Sequence, residues 1–99
     1  MLIDKPYDSS AVISFKTVFG EEIISRIESE TATHYVLKKP LVLITTPNGG
    51  LGLAPAAFSI PGANSIMLNK HAVALHGLTD TDIAGQYMEK TTGLTIVKG

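Results

Sequence analysis

Cysteine is missing from all 99 residues. Its absence excludes a disulfide framework and every thiolate metal site, and fits a reducing compartment such as cytoplasm. An excess of positive charge is missing too: eight lysines and arginines stand against nine aspartates and glutamates, for a formal net charge of -1. Domains that neutralise phosphate usually carry an evident basic surplus, so the bulk charge speaks against nucleic acid as a partner. The opening MLIDKPYDSS has no apolar stretch of the signal-peptide kind. No run approaches the roughly 18 apolar residues of a membrane span either. The expectation is a soluble, cytoplasmic protein without leader, anchor or membrane partner.

The grammar of catalysis is equally thin. NGGLG, residues 48–52, lacks the lysine and the Ser or Thr of a phosphate-binding loop, and no complete G-x-G-x-x-G occurs. The serines show no triad spacing. His71 and His76 lie five apart, which on a continuous strand points them to opposite faces and disfavours a shared metal. Asp80, Asp82 and Glu89 could suggest paired carboxylates, but a helix start accounts for the aspartates through capping and the helix dipole. Neither enzyme activity, metal nor cofactor is expected.

What is present is a single domain's worth of β pattern. AVISFKTVFGEEIISRIE places Ile13 and Phe15 on one face, breaks at Phe19-Gly20, then alternates Ile23, Ser25 and Ile27 with Ile24, Arg26 and Glu28. HYVLKKPLVLITT resumes as a third strand, with Pro40 marking a bulge or an edge because proline cannot donate to a ladder. Residues 1–10 read as an N-terminal arm and 47–64 as a long Gly/Pro-rich loop. Two short strands follow, Ile66 to Leu68 and Ala72 to Leu75, around the polar Asn69-Lys70-His71. A helix is predicted over 79–92, capped by Thr79 or Asp80, with Ile83, Ala84, Tyr87 and Met88 as its apolar stripe and Gly93 as its stop. LTIVK at residues 94–98 would supply a sixth strand or a tail. Five short, strongly bent strands and one helix suggest a small barrel, since a flat sheet would leave a face uncovered.

Two stretches carry a family resemblance. FGEEIISRIESETATHYVLKK resembles the first half of the Sm/LSm signature in its bacterial, Hfq-like form, with the turn at Gly20, apolar Ile23, small Ser25, then Ile27-Glu28-Ser29 and Val36-Leu37 before Lys38. SIMLNKHAVA resembles the second half, where Hfq proteins carry a Lys-His-Ala turn between their last two strands, here Lys70-His71-Ala72. Thr31, Ala32 and Thr33 stand where the family has an Asp and, in Hfq, a Gln-Phe pair, and the helix follows the strands instead of preceding them. The chain is thus similar to divergent Sm-like proteins such as those of phages, for which the compartment would be the host cytoplasm.

The resemblance implies an Sm-like, SH3-type barrel, a homo-oligomeric ring of roughly five to seven subunits, and binding of RNA or single-stranded DNA near a central pore, without catalysis. On that basis the candidate binding residues are Asn69, Lys70 and His71, with Thr31, Thr33 and Tyr35. A ring would repeat one lysine around one axis, which offsets the weak charge of each subunit. Tyr35, beside Val36 and Leu37, also reads as an ordinary strand residue packing in the core. Asn-Lys-His reads equally as a solvated turn. An adaptor module binding protein through the Gly/Pro-rich loop and Phe58 is the second reading, and a small hydrolase using the acidic residues the third.

Overall fold

The computed structural model describes residues 7–57, 59–60 and 65–92. Six strands and one helix form: β1 Val12–Thr17, β2 Glu22–Glu30, β3 His34–Thr45, β4 Leu51–Pro55, β5 Ile66–Asn69, a 3-10 turn at Lys70–Ala72, β6 Val73–Leu78 and α1 Thr81–Thr92. All pairings are antiparallel, in the order β4-β3-β2-β1-β6, with β5 also on β3.

The first two strands meet at a turn that needs glycine, Gly20 having φ of 100°. There Thr17 donates its N–H to the Glu21 carbonyl, while its hydroxyl accepts from the N–H groups of Phe19 and Glu21. The side-chain period of two then sorts the strands into two faces. Ile13, Phe15 and Leu37 form one buried cluster, joined by Tyr7, Ala11, Ile23, Ile27, Tyr35, Leu68 and Val73. Val12, Ile24 and Leu53 form the other with Tyr87, covered by Ile83, Ala84 and Met88 of α1. All four residues of the predicted helix stripe therefore face the sheet. Asp80 is the cap, its carboxylate accepting from the N–H groups of Asp82 and Ile83.

The sequence reading of 47–64 as one long loop is corrected. Its first part turns back on β3 at Pro47–Gly50, where the Thr46 hydroxyl accepts from the Gly50 N–H and Gly49 takes φ of 87°. Leu51–Pro55 then pairs with Leu41–Thr45. A Gly-rich stretch reads as irregular in sequence because its strand partner lies in β3, which no local pattern announces.

The count of five strands and the barrel are corrected with it: among the described residues the sheet has six strands and is not closed by hydrogen bonding. Among the described residues β5 pairs only with β3 and β6 only with β1, and the three-residue turn joins them without a ladder between them. β5 starts at Ile66 as the sequence suggests and runs one residue further, whereas β6 starts one residue later and runs to Leu78, because Ala72 completes the turn instead of opening β6. A strand over 94–98 and the stop at Gly93 lie outside the described residues.

Pro40 does sit at a bulge. Lys39 adopts φ of 53°, and the register with β2 shifts between Ile24 and Arg26. On the far side of β3 this is where the neighbour changes, from β5 along His34–Leu37 to β4 along Leu41–Thr45. The disrupted ladder is repaired by side chains. Tyr87 donates its hydroxyl to the Lys38 carbonyl at 2.5 Å and accepts from the Arg26 N–H at 3.2 Å, and the Ser25 hydroxyl donates to the Arg26 carbonyl.

Candidate nucleic-acid interface

Two turns from distant parts of the chain meet at one end of the sheet. The β2–β3 turn is closed by the Thr31 N–H donating to the His34 carbonyl, and the Thr31 hydroxyl accepts from the N–H groups of Thr33 and His34. The Thr33 hydroxyl pairs with His34 Nδ1 at 2.8 Å. The β5–β6 turn is held by Asn69, whose side-chain oxygen accepts from the His71 N–H at 2.8 Å. These turns are tied together by the Lys70 N–H donating to the Thr33 carbonyl at 2.9 Å, next to the His34 and Asn69 pair of β3 and β5.

Thus Asn69, Lys70, Thr31, Thr33 and Tyr35, chosen from the sequence, are brought into one neighbourhood. Lys70 reaches back from its turn to Glu30, with Nζ 2.7 Å from a carboxylate oxygen and 5.0 Å above the Tyr35 ring. Tyr35 is half-buried and packs on Phe15, ring centroids 5.0 Å apart, so it serves the core as well as the surface. His71 is exposed, and its imidazole makes no contact with a charged or hydrogen-bonding group among the described residues. His76 lies in β6, where Nδ1 meets the Tyr7 hydroxyl at 2.7 Å and the ring packs edge-on against Tyr35, centroids 6.2 Å apart. Burial, and next the neighbouring Tyr35, hold the Tyr7 hydroxyl above the usual tyrosine range.

Glu30 is the neighbour of the candidate site that sequence reasoning missed. It lies 40 residues from Lys70, and nothing local marks two such residues as partners. The ion pair is solvent-exposed, its side chains retaining 29% and 44% of their accessible surface. Such a pair is worth only about 0–1 kcal/mol, so an incoming anion competes with Glu30 on easy terms. Four exposed apolar side chains lie on the adjoining elements: Phe19 at 84% and Val18 at 57% on the β1–β2 turn, with the Val18 N–H donating to the Ala72 carbonyl, and Met67 and Leu75 at 67% each on β5 and β6. An open groove of about 270 Å³ lies beside β6, between Lys16, Glu22, Leu75 and Gly77.

Compared with models of known protein families and with curated protein sequences, the chain matches none. Among the described residues no helix is long and apolar enough to cross a membrane.

Proposed function

We propose that the chain is one subunit of an Sm-like homo-oligomeric ring that binds single-stranded nucleic acid, RNA before DNA, in RNA or DNA processing, without catalysing a reaction. The observation that carries the reading is the hydrogen bond between Lys70 and Thr33, which joins the β2–β3 turn to the Lys-His turn. In the family the chain resembles, those two turns form the binding site around the pore. The strand order supports the same reading. β4 and β5 follow one another along a single edge of β3, as an interrupted strand would. β5 and β6 each keep one unpaired edge among the described residues, and a cyclic head-to-tail assembly satisfies all such edges at once.

The test is solution mass together with binding of short RNA and DNA oligomers at two salt concentrations. A ring that binds RNA less tightly at higher salt is the expected result, and a monomer without affinity for either strand overturns it.

A second reading, an oligomeric adaptor for protein partners, is favoured by Phe19 and Val18, apolar side chains presented on a hydrogen-bonded turn. Phe58, its other candidate residue, lies outside the described residues. Retained assembly with no RNA binding in that experiment would favour this reading.

A further inference from the structure

The fold sorts a nearly neutral set of charges very unevenly. Among the described residues Lys16 and Lys70 sit against carboxylates, Glu22 at 3.7 Å and Glu30 at 2.7 Å, whereas Arg26, Lys38, Lys39 and Lys90 meet none. Two of these four are accounted for by α1. Lys39 donates from Nζ to the Thr91 carbonyl at 2.7 Å, and Lys90 occupies the last turn, so both offset the partial negative charge of the helix C-terminus.

Arg26 and Lys38 remain, and they are direct register partners on β2 and β3. Residues so placed have Cβ atoms about 5 Å apart on the same face of the sheet, and like charges there destabilise it. Both lie on the face that carries Val12 and Ile24, not the face of Phe15 and Leu37 beneath Lys70. Their backbones are held by the Tyr87 hydroxyl, so the bulge and the helix together fix where the two side chains leave the sheet. In addition, Arg26 Nε is shielded from solvent and meets no hydrogen-bond acceptor among the described residues. Arg26 is only half-buried, so the outer part of its guanidinium, facing a second cation, is short of negative charge, and one phosphate group supplies it together with acceptor oxygens.

We propose that Arg26 and Lys38 form a phosphate clamp on the α1-bearing face, occupied by a backbone phosphate of a bound single strand. The identity of that phosphate rests on the nucleic-acid reading above; the cation pair does not. The clamp also answers the charge objection raised by the sequence, because a chain of net charge -1 needs local cations rather than a basic total.

The experiment compares wild type with Arg26→Gln, Lys38→Gln, the double variant and the conservative Arg26→Lys. Each is measured for binding to a short single-stranded RNA across a salt series and for thermal unfolding without ligand. Inorganic phosphate is titrated in parallel against the amide resonances of residues 26 and 38. Each glutamine variant should weaken RNA binding several-fold and lower the salt slope by about 0.7 per lost contact. Arg26→Lys should retain most of the affinity, and Lys38→Gln should unfold at a higher temperature because the repulsion is gone. A folded double variant with wild-type affinity and slope overturns the clamp. If phosphate moves the two resonances but RNA does not bind, the clamp stands and the nucleic-acid reading falls. If RNA binding responds only to changes at Lys70, the reading stands and the clamp falls.

Discussion

At the scale of single residues the Lys70 and Glu30 pair makes the sharpest prediction, because its two members should act in opposite directions. Lys70→Ala removes a cation and leaves Glu30 beside the site, so RNA affinity should fall and the salt slope flatten. Glu30→Gln releases the same lysine, so affinity should rise and the slope steepen. Titrations of both variants at two salt concentrations check this, and equal losses in both would mean that the pair is structural. Tyr87 is a residue of the core with a polar task. Tyr87→Phe keeps the packing but strips the Arg26 N–H and the Lys38 carbonyl of their shared partner, a loss of about 1–3 kcal/mol in denaturant unfolding. Tyr7 gives a pH dependence. Its raised value means that the folded state favours the neutral hydroxyl, so its contribution is whole below the unfolded tyrosine value of 10.0 and is lost as pH rises through the folded one. Stability should therefore decline with rising alkalinity above that value, and Tyr7→Phe should remove that part of the slope.

At the scale of elements the outer strands matter most. Met67 on β5 and Leu75 on β6 are each 67% exposed in the single subunit, so a charge at either costs the folded subunit within about 0.5 kcal/mol. Charge on a strand edge is, however, the ordinary device against edge pairing. Met67→Lys or Leu75→Lys should leave the circular dichroism and unfolding of the subunit close to wild type while dissociating the assembly, as read by light scattering. Unchanged mass in both variants would place the subunit contacts elsewhere. The elements also show what was legible in sequence. β1, β2 and α1 were readable because alternation in Ile13, Phe15, Ile23 and Ile24, and the Asp80 cap with its stripe, are local signals. β4 was not, since LGLAP lacks a strand's alternation and pairs only because Pro47–Gly50 folds it back on β3.

For the whole molecule the expectation is a closed assembly of 10.5 kDa subunits, joined through Ile66 to Leu68 of one copy and Val73 to Leu75 of the next. Mass in solution should be one fixed multiple of the subunit in the range of roughly five to seven, because closed rotational symmetry leaves no free end for further growth. A monomer at micromolar concentration would sink this expectation. Assembly is also what would turn one exchangeable lysine and one cation pair per subunit into a high-affinity surface, since tethered sites gain avidity without new contacts.

The sequence by itself determined the local facts: which side chains share a face, where the chain turns at Gly20, where Pro40 forbids a regular ladder and where α1 begins. These follow from dihedral preference and side-chain period, which act over a few residues. Only the tertiary structure decided the rest. It set β4 beside β3, Lys70 against Glu30 across 40 residues, the two turns in contact, and Arg26 opposite Lys38. Register decides such neighbours, and register is fixed by burial on both faces of the sheet at once, so no segment read alone contains it.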